Sequence, residues 1–166
     1  MLLSSRKLIE FISSADTIVA PYFRGLYTVD QLLDDAVNEL IDLNSQNCVI
    51  VHSNDHYVGI YLNTQQDKSA FVDSLDNDPS TYSDILEVFL DQYAPRYDTV
   101  PFTLQSESSH LCGQYAAMLL HQLCSGQSLD SACRVFKAGA NAHNDKVLRT
   151  FFMRNFSAKQ TSMLFS

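Results

Sequence analysis

At 166 residues, 46% of them hydrophobic, the chain is long enough to bury a substantial core and short enough to form one domain. A net charge of −8 argues against a nucleic-acid partner, because non-specific affinity for phosphate backbones comes mostly from clustered Lys and Arg. No apolar run approaches the roughly 18 residues of a membrane span, and the four cysteines show no CxxC spacing, so a reduced intracellular setting is expected and neither a membrane protein nor a disulfide framework.

Met1-Leu2-Leu3 precedes a serine pair and a basic pair, so the charge-then-apolar order of a signal peptide is missing. Ser4 to Ser14 reads as a helix with Leu8, Ile9, Phe11 and Ile12 on its apolar face. Val29 to Asn44 reads as a second, with Leu32, Leu33, Ala36, Val37, Leu40 and Ile41 inward and Asp34, Asp35, Glu39 and Asp42 solvated. Four β runs follow, near 48–53, 57–62, 69–74 and 99–104, the first two joined by the turn Ser53-Asn54-Asp55. A helix from Tyr82 to Tyr93 separates the last two runs. The C-terminal third reads as helices Leu111 to Cys124, Leu129 to Lys137 and Asp145 to Phe156, the last capped by Asn144. Residues 157–166 read as a flexible tail. The expected architecture is one α+β domain over 1–166, a mostly antiparallel sheet packed against helices.

Cys112 carries the chemistry. It ends a polar loop and opens a helix, where unpaired N–H groups and the positive end of the dipole favour the thiolate. Seven residues upstream, Gln105 offers an amide that can hydrogen-bond the oxyanion formed on attack. His56 opens the second β run and Asp73 closes the third, so a hairpin can bring the two within hydrogen-bond reach. The carboxylate then fixes the tautomer and leaves the other ring nitrogen for the thiol proton. Taken singly, Cys112 reads as an apolar filler, His56 as a turn residue and Asp73 as a turn-capping carboxylate. Asp76 and Asp78, in the same stretch, are rival acids. A zinc site of His110, Cys112, His121 and Cys124 has His121 and Cys124 three apart on one helix, but the others fit no ligand spacing, so neither a metal nor a cofactor is expected. The basic residues grouped from Arg134 to Arg154 (with Lys137, Lys146 and Arg149 between) read as a solvated helix face.

The order His56, Asp73, Gln105, Cys112, with Gln-Ser-x-x-Ser-x-x-Cys-Gly around the nucleophile, resembles the adenovirus proteases. Their clan includes the ubiquitin-like-protein-specific cysteine proteases. His56 and Asp73 are 17 residues apart, as the corresponding pair is in the adenovirus branch. Pro21-Tyr22-Phe23-Arg24-Gly25-Leu26-Tyr27 is similar to a stretch near that branch's N-terminus, and the likeness runs from Lys7 to Phe156. Three departures stand out. The triad acid is Asp where adenovirus enzymes have Glu. The residue after His56 is Tyr57 where Trp is usual. Ala94 and Pro95 occupy the neighbourhood of the Cys that anchors the adenovirus activating peptide by a disulfide.

The resemblance implies a cysteine endopeptidase of a DNA virus or virus-like element, cutting capsid or core precursors near small residues such as Gly. Cys112 would be nucleophile, His56 base, Asp73 its orienter, and Gln105 an oxyanion donor. The alternative is a deubiquitinase or deSUMOylase-like protease acting on ubiquitin-like tails; a second is a non-catalytic binding module. Viral precursors or ubiquitin-like proteins are the expected substrates, in the host nucleus or cytoplasm and in the virion. A peptide activator would have to be non-covalent, and activation by DNA is not expected from an acidic chain.

Overall fold

A computed structural model of the protein describes residues 1–39 and 45–165. Helix α1 (Ser5–Glu10) is capped by Ser4, whose hydroxyl accepts from Lys7 N at 3.3 Å, and runs on into a wider π-helical turn, Phe11–Ala15. Strand β1 (Phe23–Tyr27), helix α2 (Val29–Val37), β2 (Gln46–Ser53), β3 (His56–Asn63) and β4 (Lys68–Val72) follow. Helix α3 (Asp84–Tyr93) and the short β5 (Asp98–Thr99) precede four helices. These are α4 (Cys112–Cys124), α5 (Leu129–Cys133), α6 (Asn141–Asn155) and α7 (Ala158–Phe165). The expected reach of α2 to Asn44, with Leu40 and Ile41 inward and Asp42 outward, lies outside the described residues, as does the Val37 side chain.

The sheet runs β1-β2-β3-β4-β5, antiparallel in its centre and parallel at both edges. Its two faces bury different residues. Cys48, Ile50, Tyr57, Tyr61 and Val72 pack towards α4, α6 and the N-terminal helix, whereas Val49, Val51, Val58, Ile60 and Phe71 pack against α2 and α3. Helices therefore cover both sides, and every residue of β3 is buried. Gly59 marks where α4 crosses the sheet: a Cβ there would meet Leu120 at 3.3 Å.

Four expectations need correcting. Pro21 to Tyr27, read only as a motif, contains the edge strand β1, paired in parallel with β2. The run 99–104 is a strand only at Asp98–Thr99, because Pro101 has no N–H to give a ladder. Beyond it, Leu104 N and Gln105 N both donate to Ser74 O, at 2.8 and 3.2 Å, tying this segment to the chain just after β4. Asn144 is not a cap, since α6 begins at Asn141; it is fully buried within α6, accepting from Lys137 N and donating to Leu104 O.

The fourth correction concerns the expected flexible tail, 157–166, which is helical over α7. Ser157 and Gln160 cap it reciprocally: Gln160 N donates to the Ser157 hydroxyl at 3.1 Å, and Ser157 N donates to Gln160 Oε1 at 2.9 Å. Leu164 is buried, and its carbonyl accepts from Gln114 Nε2 on α4.

Candidate active site

Asn54 and Asp55, both at positive φ (50° and 57°), make a two-residue turn that pairs Ser53 with His56. That turn sets His56 at the first position of β3. Asp73 follows the last residue of the antiparallel neighbour β4, whose ladder with β3 ends at Gly59 and Val72, so the two side chains lie on adjacent strands just past the end of the pairing. His56 Nε2 meets Asp73 Oδ1 at 2.7 Å, which leaves Nδ1 for another partner. Asp73 is 1% exposed, and His56 is buried as well, not partly exposed as its turn position suggests.

The Asp73 carboxylate is held from several sides. Its Oδ1 accepts from Leu75 N at 3.0 Å, and its Oδ2 accepts from Asn77 N at 3.2 Å and from the Tyr82 hydroxyl. Asp76, by contrast, is exposed, and partial desolvation, then the charges of Asp73 and Asp78, push its carboxyl pKa up. The Tyr82 ring also stacks on the His56 imidazole, with centroids 5.4 Å apart and planes at 11°. Burial and the bond to Asp73 raise the Tyr82 pKa, so it stays a donor. Sequence reasoning missed Tyr82, although its place nine residues after Asp73 at the start of an expected helix was the available signal.

Cys112 is the first residue of α4, and its sulfur accepts from Tyr57 N at 3.4 Å, beside His56. Leu111, at the cap position, provides no side-chain cap, so the first-turn N–H groups of α4 stay open next to the thiol. Burial works against the imidazolium of His56, but hydrogen bonds with Asp73 and Cys112 outweigh it and lift the pKa to about 9. An imidazolium at neutral pH favours a thiolate beside it.

Tyr57 is fully buried in the place where the resembled enzymes carry Trp. Its hydroxyl is held by Leu3 O at 2.9 Å and Ser5 Oγ at 2.8 Å, so the N-terminal segment braces the residue that bonds the sulfur. A Cβ at Gly113 would sit 3.2 Å from the Tyr57 ring, which explains a glycine directly after the cysteine.

Gln105 is 2% exposed. Its Oε1 accepts from the Ser74 hydroxyl and its Nε2 donates to Ser109 O at 3.0 Å, leaving the second N–H of the amide available. Ser74, directly after Asp73, is a second residue missed from sequence. The structure thus joins His56 directly to Asp73, holds the Cys112 sulfur on the N–H of the adjoining Tyr57, and places Gln105 on the loop between Ser74 and the nucleophile. Among the described residues no group of three or more His, Cys, Asp or Glu is arranged to hold a metal. His121 pairs instead with buried Asp16, at 2.9 Å.

No family model and no curated protein matches this sequence. Solved structures do match. The C-terminal Ulp1 protease domain in complex with Smt3, the yeast ortholog of SUMO, is 12% identical with a TM-score of 0.52, over 99% of this chain and 77% of that one. The SUMO protease Ulp1 with its catalytic cysteine oxidised to a sulfinic acid is 14% identical with a TM-score of 0.52, over 99% of this chain and 78% of that one. At such identities the likeness is one of fold, and the chain has the Ulp1-like α+β protease fold. These matches name SUMO proteases, not the adenovirus branch that the local motifs resemble.

Proposed function

We propose that this protein is a cysteine protease that cuts after small residues, such as Gly-Gly, in the C-terminal tails of ubiquitin-like proteins. The observation that carries the reading is the hydrogen-bonded pair Asp73–His56 beside Cys112, whose sulfur accepts from the N–H of the residue after His56, Tyr57, at the first turn of a helix. A binding module would have no need of a buried carboxylate locking a histidine beside a thiol. The Ulp1-like fold and a neighbour solved with Smt3 favour ubiquitin-like tails over capsid precursors.

The Cys112 thiolate attacks the scissile carbonyl carbon, and the π electrons move onto oxygen. That oxyanion accepts from the Cys112 backbone N–H and the free N–H of Gln105. As the tetrahedral intermediate collapses, the C–N bond breaks and the His56 imidazolium gives its proton to the leaving amine. His56 then takes a proton from water, whose oxygen attacks the thioester. Collapse releases the carboxylic acid and restores the thiolate–imidazolium pair. Asp73 holds the ring in the orientation needed for both transfers, with Tyr82 on its far side.

The test offers the protein ubiquitin and SUMO C-terminal fluorogenic substrates beside a Gly-containing precursor-type peptide, with Cys112→Ala as control. Cleavage of a ubiquitin-like tail that Cys112→Ala abolishes supports the proposal. Cleavage of the precursor peptide alone favours the second reading, maturation of viral precursors, which rests on the motifs around His56, Cys112 and Pro21 to Tyr27. No cleavage of any substrate overturns both.

A further inference from the structure

Helices α4 and α6 pack together, and their outer seam, closed off near the C-terminal end of α5, forms a groove of about 600 Å³. Its apolar lining comes from Met118 on α4, Val147 and Phe151 on α6, and Val135, which is 51% exposed. Along one lip stand Lys146 and Arg154, eight residues apart and therefore on one helix face, with His143 a turn away. No Asp or Glu lines the groove. Among the described residues neither Lys146 nor Arg154 is in an ion pair, whereas Arg96 and Arg134 are matched to Asp67 and Asp130.

That arrangement runs against the rest of the surface. The chain has 19 acidic residues to 11 Lys and Arg, so a groove lined by Lys146 and Arg154 and no acid is a local reversal of sign. Its lining of Met, Val and Phe suits apolar side chains and is a poor cradle for phosphates, which need donors on every side. One chemistry satisfies both parts: a segment with an apolar stripe for the floor and carboxylates for the lip. Met118 lies six residues beyond Cys112, or about 9 Å along the helix, so an occupant there would leave the nucleophile open.

We propose that the α4–α6 groove docks an acidic, amphipathic segment of a partner protein, outside the active site. This goes beyond the proteolytic reading and does not depend on it. The probe is a fluorescein-labelled Leu/Glu amphipathic peptide, and anisotropy is read on the Cys112→Ala protein, so that loss of catalysis and loss of docking stay distinct. We expect binding that weakens with salt and drops about tenfold for the Lys146→Glu, Arg154→Glu double variant. Val135→Asp, at an exposed site that leaves the core intact, should weaken it too, and a peptide scrambled to lose its apolar stripe should bind poorly. Equal binding by the charge-reversed protein would overturn the proposal. So would displacement of the peptide by a duplex oligonucleotide of tighter affinity, which would make the lip a phosphate site. A dimer in sedimentation that Val135→Asp dissolves would also overturn it, by assigning the groove to a second copy.

Discussion

Four donors converge on Asp73, from His56, Leu75 N, Asn77 N and Tyr82, and they distinguish it from the neighbouring acids. Asp73→Asn should lower kcat by roughly 10²- to 10⁴-fold, because the amide cannot hold the ring in the same tautomer. Asp76→Asn, at an exposed carboxylate, should stay within about twofold of the parent. A steady-state assay of both variants checks this, and the reverse ranking would mean the wrong acid. The raised pKa of His56 predicts the alkaline limb of the pH profile. Its charge is retained until about pH 9, so kcat/KM should fall around there and not near 6.5. The linkage has the same sign: the pair stabilises the fold fully below the unfolded pKa near 6.5, and this stabilisation is lost as pH rises through about 9.

Reactivity among the four thiols should follow the charge of the thiol, not its access. Cys112 is only 2% exposed, as buried as Cys48 and Cys133, whereas Cys124 is half-buried. Burial pushes the Cys133 pKa up to about 12, and a hydrogen bond with Cys124, then burial, raises that of Cys48. Cys112 alone adjoins an imidazolium. Iodoacetamide at neutral pH should therefore modify Cys112 first, and Cys112→Ala should abolish cleavage while leaving the circular dichroism spectrum unchanged. Mass spectrometry that finds Cys124 labelled ahead of Cys112 would remove the assignment.

At the scale of elements, α7 gives the sharpest test, since a flexible tail and a docked helix predict opposite outcomes. Its Ser157-Gln160 box is readable in the chain as Ser-x-x-Gln, but nothing local says that Leu164 has a core to enter. Leu164→Ala should cost about 2–4 kcal/mol through lost burial and the cavity left behind. Ser157→Ala should cost about 1 kcal/mol through the lost cap. Thermal melts lowered for both, more for Leu164→Ala, are expected; unchanged melts would return the segment to a tail. Asn144 makes a related point. Its residue type fits a cap, yet α6 begins a turn earlier and the side chain spans Lys137 and Leu104, fixing the segment that delivers Gln105.

For the molecule as a whole, charge sets the expectation about activation. With net −8, duplex DNA should not stimulate peptide cleavage even at low salt, where electrostatic binding is strongest. A large, salt-sensitive stimulation would mean that Lys146, Arg154 and their neighbours outweigh the net charge. Burial of β3 on both faces belongs to this scale too. A strand buried along its whole length follows from helices covering both sides of the sheet, and the strand itself does not say which helices those are.

The turn at Asn54-Asp55 and the helix after Cys112 are legible in the chain because each rests on local backbone preference, and the order His56, Asp73, Gln105, Cys112 is legible through the resemblance its motifs carry. The hairpin that sets His56 and Asp73 on neighbouring strands is legible from local preference too, since antiparallel strands joined by short turns carry their own register. What the chain alone leaves open are contacts between segments far apart in sequence. These include Tyr57 held by Leu3 and Ser5, and Leu104 and Gln105 hung from Ser74. They also include the parallel pairing of β1 with β2 and the docking of Leu164 under Gln114. Such contacts are made when buried polar groups find partners as the layers close, and local propensity carries no record of which partner is nearest.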